Sequence, residues 1–265
     1  MVELRGVSKW FPLPGGGGKR LDVVDDVSLS IADRPEGEFI AVLGPSGCGK
    51  STVLNLISGL VSPDTGEVRI YGKPVTGPAP ESVTVPQAYT CFPWLTALGN
   101  VEFGLAVQGK SKTEQRRIAT EYLGKVGLGD RLGAYAKQLS GGMQQRVAIA
   151  RTLAMKPPIV LMDEPFGALD AQTRADMQQM LLGLWAEEKN LILFITHDIT
   201  EALLLADRVI VFSPRPARVI HDLRLPFPRP RPASLVFDKQ FIELSQALLD
   251  LLKATPSSGQ VRVTV

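Results

Sequence analysis

A glycine-rich run in the N-terminal third of the chain has the residue types and spacing to hold phosphate groups. In chain order it reads Gly44, Pro45, Ser46, Gly47, Cys48, Gly49, Lys50 and Ser51, with Thr52 directly after it. Glycines let backbone N–H groups close around a phosphate, Lys50 can reach the β- and γ-phosphates, and the Ser51 hydroxyl is placed to bind Mg²⁺. An ordinary glycine-rich turn is the alternative. An apolar strand pattern before the run and a helical pattern after it disfavour that turn, so the sequence predicts a nucleoside triphosphate site.

A pair of acids follows a second apolar strand pattern. Residues 159–162 are all apolar, and Asp163 and Glu164 come next. A carboxylate at the end of a buried strand beside a phosphate loop is placed to hold Mg²⁺, directly or through water, and we assign that role to Asp163. Glu164 could orient or deprotonate the attacking water. The alternative, a strand that merely ends in surface acids, is weakened by the phosphate loop upstream.

A third run places Ser140, Gly141 and Gly142 ahead of a helical pattern that continues to Ala154. Ser140 is a suitable N-cap, and the glycines expose backbone N–H groups, which makes a second anion site without a lysine. A well-capped helix is the alternative. Together with the phosphate loop, the run favours two chains related head to tail by a two-fold axis. Each Ser140 loop would then close over the γ-phosphate bound by the other chain.

Two further polar residues follow strand patterns. His197 comes after the strand at 191–195, where a polar side chain at the end of a central strand points toward the ligand crevice. We interpret it as a γ-phosphate sensor, although a lone histidine more often has a structural role. Gln87 follows the strand at 82–85 and is a candidate on spacing alone.

Composition limits the class of protein. The chain has 265 residues, 45% of them hydrophobic, which is enough for one full core and a smaller second one. Its formal charge is only +2, so no nucleic-acid partner is indicated. Two cysteines fit a reducing cytosol. The N-terminus lacks the apolar run of a signal peptide, and no stretch approaches the length needed to cross a bilayer, so we expect a protein that is soluble by itself.

The order of strand and helix patterns predicts an α/β fold. A P-loop core would carry an antiparallel β subdomain near the N-terminus and an inserted helical subdomain at about 88–155. This domain would span residues 1–213. Residues 214–265 form a Pro/Arg-rich segment, expected to be a solvated linker, and a last helix from about 238 to 253.

Together these runs resemble one family, the ATPase subunits of ATP-binding cassette (ABC) transporters, over about residues 2–213. The resemblance rests on the phosphate loop (Walker A), 139–145 (signature), 160–165 (Walker B), 167–170 (D-loop) and 196–198. It implies that Gln87 binds Mg²⁺ and links to the membrane subunit, that Asp170 lies at the dimer interface, and that Glu164 is the catalytic base. His197 would be the switch histidine, and Gln144 would join Ser140, Gly141 and Gly142 as nucleotide-binding signature residues.

The resemblance also implies an aromatic side chain that stacks on adenine, a few residues after the first strand. Trp10 and Phe11 both qualify, and the spacing favours Phe11. A narrower likeness, at 92–96, 163–174, 201–202 and 206–208, points to the nitrate, sulfonate, taurine and bicarbonate importer branch. The solute itself is not readable, because the ATPase does not touch it.

The family implies an ABC ATPase fold, ATP and Mg²⁺ as ligands, and a peripheral position on the cytoplasmic face of the inner membrane. Its partners would be transmembrane permease subunits, a second ATPase subunit and, indirectly, an extracytoplasmic solute-binding protein. An exporter or lipid-transport ATPase would use the same chemistry. A soluble ABC protein of DNA repair or translation usually has a coiled-coil insertion or two cassettes, and a non-catalytic regulator would be expected to lack Glu164 or Lys50.

Large apolar residues follow Gln87 in a proline-broken segment. They are Tyr89, Phe92, Pro93, Trp94 and Leu95. Such a segment must either pack inside the helical subdomain or contact a partner. The sequence leaves both open, and the second predicts a docking site for a short cytoplasmic helix of the permease.

Overall fold

The computed structural model describes residues 1–13, 15, 19–88, 90–254 and 263–264. Its strands and helices, in chain order, are β1 (Val2–Pro12), β2 (Arg20–Ile31), β3 (Glu38–Leu43), α1 (Lys50–Ile57), β4 (Thr65–Ile70), β5 (Lys73–Pro74), β6 (Ser82–Val85), α2 (Ala97–Val107), α3 (Lys112–Lys125), α4 (Gly141–Ala154), β7 (Ile159–Asp163), α5 (Ala171–Glu188), β8 (Leu191–Ile195), α6 (Ile199–Leu205), β9 (Arg208–Phe212), β10 (Val219–Arg224), α7 (Lys239–Ala254) and β11 (Val263–Thr264). Short 3₁₀ helices cover Ala136–Gln138 and Ala233–Phe237. The chain divides into two compact units, one of Met1–Ala79 with Leu191–Val265 and one of Pro80–Asn190.

The first unit contains an antiparallel sheet and a parallel one. The antiparallel sheet has the order β11-β2-β1-β4-β5, which is the β subdomain predicted from the sequence. In the other, β3 pairs in parallel with β8 and β9, and β10 joins β9 antiparallel. Every residue of β3 is buried, as expected for a strand covered on both faces. The phosphate loop and His197 therefore leave neighbouring strands of this parallel sheet at the same edge.

The second unit is mostly helical. Strands β6 and β7 pair in parallel, and α2, α3 and α4 pack on one another. Ser111 and Glu114 form a capping box at the start of α3. The apolar stripe of α5 faces the core, where Met177, Leu181, Leu184 and Trp185 are buried and Met180 is half-buried. In the part of the chain that the structure describes, no helix is long and apolar enough to span a membrane.

The Pro/Arg-rich segment is not a solvated linker, and that expectation was wrong. The Arg231 side chain is buried and donates hydrogen bonds to the carbonyl oxygens of Leu203 and Leu204 near the end of α6, both at 3.2 Å. It also donates to the carbonyl oxygen of Phe227 at 2.9 Å. The last carbonyls of a helix have no partner within the helix, and a guanidinium satisfies several at once. Burial lowers the pKa of Arg231 to about 10. A high content of proline and arginine therefore does not by itself predict that a segment is solvated. An arginine side chain can be buried where carbonyl oxygens elsewhere in the fold accept its hydrogen bonds.

Candidate functional site

The phosphate loop runs from the end of β3 to the start of α1, inside the first unit. Gly49 is the N-cap of α1, and no side chain caps this helix end. The first turn also contains no acidic residue. Backbone N–H groups at a helix start have no acceptor within the helix, so this end can accept an anion.

Two glycines of the loop lie where a side chain would crowd its neighbours. Gly49 has a φ of 121°, and a Cβ there would lie 2.7 Å from the carbonyl oxygen of Val23. A Cβ on Gly44 would lie 3.0 Å from the Cys48 Sγ. The loop is thus built from close backbone approaches, which is what the predicted phosphate cradle requires.

Lys50 is buried and folded onto its own loop. Its Nζ donates to the carbonyl oxygens of Gly44 at 2.7 Å and Pro45 at 3.0 Å. The Cys48 thiol lies 4.0 Å from this ammonium, and burial raises the pKa of that thiol. Cys48 is therefore a neutral packing group, while Lys50 places a fixed positive charge inside the cradle.

His197 lies in a short, well-fixed turn in the first unit. The Thr196 N–H donates to the carbonyl oxygen of Val42 at 3.3 Å, and the Thr196 Oγ1 accepts from the Asp198 N–H at 3.0 Å. Asp198 then caps α6 by accepting from the Glu201 N–H at 3.1 Å. Since Val42 is paired with Ile195, the turn with His197 and the start of the phosphate loop leave adjacent strands. The structure brings these two predicted elements together.

Both adenine-stacking candidates lie at the end of β1. Trp10 is covered by the Arg20 guanidinium, 4.2 Å from the ring centroid. Phe11 is 38% exposed, and the Lys9 ammonium lies 5.4 Å from its ring centroid. Because the Arg20 guanidinium covers the Trp10 ring, Phe11 is the better candidate for stacking on adenine. That role stays a prediction. Residues 14 and 16–18, in the proline- and glycine-rich stretch after these candidates, lie outside the described residues.

In the second unit, β7 ends at Asp163 and the backbone turns sharply at Glu164. Glu164 has a φ of 43°, in the left-handed region that a residue with a Cβ avoids. Such a conformation costs about 1–3 kcal/mol and is concentrated at functional sites. The Gly167 N–H closes the turn by donating to the Glu164 carbonyl oxygen at 3.1 Å.

Gln87 reaches Glu164 from the neighbouring strand. Its Nε2 lies 3.4 Å from the Glu164 Oε2. Val85, two residues before Gln87, pairs with Met162, two residues before Glu164, so both side chains emerge at the same edge. Gln87 and Glu164, which were predicted from separate sequence patterns, therefore lie side by side at the end of β6 and β7 in this unit.

The signature run forms the start of α4. The Ser140 Oγ caps the helix by accepting from the Met143 N–H at 3.3 Å. The Gln144 Nε2 donates to the carbonyl oxygens of Ala136 at 3.0 Å and Leu139 at 3.2 Å. Gln144 thus holds the preceding turn, and its contact with nucleotide stays a prediction.

Asp170 is the N-cap of α5. Its Oδ1 accepts from the Thr173 N–H at 3.0 Å and its Oδ2 from the Thr173 hydroxyl at 2.8 Å. These hydrogen bonds lower the pKa of the Asp170 carboxyl. A Cβ on Gly142 would lie 2.9 Å from the Thr173 Cγ2, so Thr173 connects the D-loop to the signature run. Sequence reasoning missed Thr173, although its position three residues after an N-cap aspartate was a usable signal.

The aromatic segment after Gln87 is exposed at its tip. Trp94 is 70% exposed and stacks on Phe92, with ring centroids 5.5 Å apart. Phe103 of α2, 49% exposed, meets Phe92 edge-on at 4.8 Å. Trp94 is therefore not part of the core. Tyr89 lies outside the described residues.

Two residues that the sequence analysis missed hold this segment. Asn100 is buried in α2; its Oδ1 accepts from the Phe92 N–H at 2.7 Å, and its Nδ2 donates to the Thr96 carbonyl oxygen at 3.0 Å. Arg151 of α4 donates to the carbonyl oxygen and the hydroxyl of Thr90, both at 2.9 Å. A polar residue on the apolar face of α2 could have revealed Asn100, whereas no local signal marks Arg151.

The predicted metal-binding residues suit a hard cation. Ser51, Gln87 and Asp163 offer a hydroxyl, an amide and a carboxylate oxygen, the ligand types that Mg²⁺ prefers. Within the described residues, no group of three or more His, Cys, Asp or Glu side chains is placed to hold a metal.

Comparisons with known proteins find similar chains and one matching family. Residues 24–167 match the family model described as ABC transporter. The taurine import ATP-binding protein TauB of Chromobacterium violaceum is 46% identical over 88% of this chain and 90% of that protein. The bicarbonate transport ATP-binding protein CmpD of Synechocystis sp. is 44% identical over 95% of this chain and 88% of that protein. The nitrate import ATP-binding protein NrtD of Synechococcus elongatus is 44% identical over 93% of this chain and 89% of that protein. The ATP-binding cassette MJ0796, solved as a dimer in a post-hydrolysis state with ADP and Pi, is 35% identical with a TM-score of 0.73, covering 86% of this chain and 100% of that chain.

Proposed function

The chain belongs to the ATP-binding family of ABC transporters, and on that premise we propose that it hydrolyses ATP to power a membrane importer of a small anion. The observation that carries the proposal is the phosphate loop, whose uncapped helix start and buried Lys50 form an anion cradle. Three importer relatives cover nearly the whole chain, which favours an importer over an exporter.

Binding of the triphosphate falls to the first unit. Backbone N–H groups of Gly47, Gly49 and the start of α1 would surround the phosphates. Lys50 would exchange its bonds to loop carbonyls for bonds to β- and γ-phosphate oxygens. His197, fixed beside the loop, would donate to the γ-phosphate, and Phe11 would stack on adenine.

Hydrolysis falls to Glu164. Water attacks the γ-phosphorus, a bond forms between the water oxygen and phosphorus, and the bond to the β–γ bridging oxygen breaks with ADP as the leaving group. The Glu164 carboxylate would orient this water and accept its proton. Gln87, 3.4 Å away, would hold that carboxylate in place. The left-handed backbone at Glu164 fixes its direction, so the rate arises mainly from positioning.

Ser51, Gln87 and Asp163 would hold Mg²⁺. When bound, the ion neutralises negative charge on the β- and γ-phosphate oxygens. The three side chains would orient the triphosphate relative to Glu164. All three provide oxygen donors, and this donor chemistry supports the assignment.

A second ATPase subunit would complete the site. Ser140, Gly141 and Gly142 present a helix start without a lysine, so we infer that they close over phosphates bound by a second cassette. Asp170 would lie at that interface. The dimeric state of MJ0796 supports this arrangement.

The membrane partner would be a permease that docks at the aromatic tip formed by Phe92, Trp94 and Phe103. Exposed aromatic side chains of this size are typical anchors of protein interfaces. The chain would then work as a peripheral subunit on the cytoplasmic face of the inner membrane. A solute-binding protein would act through the permease, and the solute would resemble nitrate, taurine, another sulfonate or bicarbonate.

Two measurements test the proposal. Purified chain should release phosphate from ATP only when Mg²⁺ is present, and Lys50→Ala should abolish that activity. A strain lacking the gene should lose uptake of one of these four anions and regain it with the wild-type chain but not with Lys50→Ala. Phosphate release without any loss of uptake would retain the ATPase and reject the importer.

A further inference from the structure

A turn between β9 and β10 is fixed against the edge of the phosphate loop. Its ends are joined because the Ser213 N–H donates to the Arg218 carbonyl oxygen at 2.9 Å. The Ala217 N–H donates to the Val23 carbonyl oxygen at 2.8 Å, and the Asp25 N–H donates back to the Ala217 carbonyl oxygen at 3.0 Å. The turn is therefore attached to β2 by backbone bonds that involve no arginine side chain.

Arg215 extends from this turn to the phosphate loop. Its Nε donates to the carbonyl oxygen of Gly47 at 2.9 Å, and its Nη2 donates to the same oxygen. Gly47 has a φ of 71°, a conformation that only glycine adopts at low cost. A Cβ on Gly47 would lie 3.3 Å from the Arg215 Nη2, so the guanidinium lies directly on the loop backbone.

No described carboxylate neutralises the charge of Arg215. No acidic side chain lies within ion-pair distance of it in the described part of the chain. Other arginines of the first unit are paired, such as Arg218 with Asp25 and Arg208 with Asp222. An unpaired guanidinium at a cradle for anions raises the local positive potential.

We propose that Arg215 is a positioning residue for the nucleotide phosphates. It holds the Gly47 carbonyl on the outer side of the loop, which keeps the neighbouring N–H groups directed inward. A cation on this carbonyl also polarises the peptide that it shares with Cys48, whose N–H donates to the Pro45 carbonyl oxygen at 3.2 Å, and so strengthens the bond that closes the loop. Its charge adds to that of Lys50 at the cradle. The ligands are nucleoside di- and triphosphates, and the inference rests on the proposed function in taking this loop as the ATP site.

Arg218 provides a matched control on the same turn. Its guanidinium donates to the Asp25 Oδ2, with the Nε at 3.2 Å, and makes no contact with the loop among the described residues. Arg218→Ala removes one positive charge and one contact of the turn, as Arg215→Ala does. A difference between these variants therefore reports on the contact with Gly47.

The experiment is titration of the full-length chain with Mg-ATP and Mg-ADP by calorimetry, beside thermal melting without nucleotide. Losing a charge-assisted hydrogen bond predicts that Arg215→Ala raises both dissociation constants roughly tenfold, while Arg218→Ala stays within about twofold. Arg215→Lys should recover part of the affinity, because it keeps the charge but not the two-pronged contact. In phosphate release, the KM for ATP should rise with little change in kcat.

Equal affinities of Arg215→Ala and wild type overturn the inference. If Arg215→Ala melts well below wild type, Arg215→Gln decides, because its shorter side chain keeps an amide donor at the position of the Arg215 Nε without the charge. A dissociation constant raised in Arg215→Gln at wild-type melting temperature supports the inference, and an unchanged one rejects it. Absence of ATP binding by the wild-type chain would instead reject the proposed function.

Discussion

The amide of Gln87 and the carboxylate of Glu164 share a hydrogen bond, with 3.4 Å between Nε2 and Oε2. They are 77 residues apart in the sequence, and parallel pairing of β6 with β7 brings them together. The contact gives Gln87 a direct way to affect the residue proposed to orient water. A movement of the segment after Gln87 would then shift the position of the Glu164 carboxylate.

Glu164→Gln should separate hydrolysis from binding. The amide keeps the shape of the side chain but cannot accept a proton, so kcat should fall at least about 100-fold while ATP and Mg²⁺ still bind. Lys50→Ala should instead weaken ATP binding or its alignment. Phosphate release and ATP titration of both variants check this prediction, and near-normal turnover by Glu164→Gln would remove that residue from its role.

Ser140→Arg should prevent assembly of two cassettes. The bulky cation would occupy the space in which the start of α4 is proposed to meet a partner's nucleotide. Light scattering of Glu164→Gln should show a dimer with ATP and a monomer without it, and adding Ser140→Arg should leave a monomer. Ser111→Arg, at the N-cap of α3, is the matched control and should still dimerise. A dimer that survives Ser140→Arg would contradict the shared site.

Trp94→Ala should uncouple the chain from its membrane partner without unfolding it. Trp94 is largely exposed, so its removal costs little core packing, and melting and ATP binding should stay near wild type. Co-purification with the permease, or solute uptake, should be lost. Phe237→Ala, at another exposed aromatic of the chain, is the control. A Trp94→Ala chain that still co-purifies with the permease and still supports uptake would contradict the docking role.

Asn100→Ala should destabilise the chain. It removes the acceptor of the part-buried Phe92 N–H, and leaving such a group unsatisfied costs about 1–3 kcal/mol. The Thr96 carbonyl oxygen loses the bond from the side chain but keeps the one from the backbone N–H of residue 100. Denaturant unfolding should show a lower midpoint, while Gln108→Ala, at the exposed end of the same helix, should have a smaller effect. Equal midpoints for wild type and Asn100→Ala would mean that Asn100 does not hold the segment.

Asp222→Asn should change the acid stability of the first unit. Hydrogen bonds from Arg208, with 2.6 Å between its Nε and the Asp222 Oδ1, lower the pKa of Asp222 in the folded chain. The stabilisation is therefore complete above the unfolded pKa of about 4 and is lost as pH falls through the folded pKa. The melting temperature of Asp222→Asn should lie below wild type at neutral pH, and the gap should close in acid. Asp33→Asn, at an exposed position, should show no such gap.

Much of the fold and the candidate site follows from local sequence. The phosphate loop, Asp163 and His197 each directly follow an apolar strand pattern, and the parallel pairing of β3 with β8 brings the loop and His197 to one edge of the first unit's sheet. Arg151 and Arg215 could not be found this way, because their partners lie 61 and 168 residues away and no motif links them. Arg231 was misassigned for the same reason. Long-range acceptors, rather than composition, decide whether an arginine is solvated.

The exposure of Trp94 also makes the chain its own optical reporter. Of three tryptophans, Trp185 is buried with its Nε1 bonded to the Asn190 carbonyl oxygen at 2.9 Å, and Trp10 lies under a guanidinium. Trp94 should therefore dominate the red edge of the emission spectrum and be the indole most open to a collisional quencher. Contact with a membrane subunit would blue-shift that emission and shield it, so docking can be followed without an added dye.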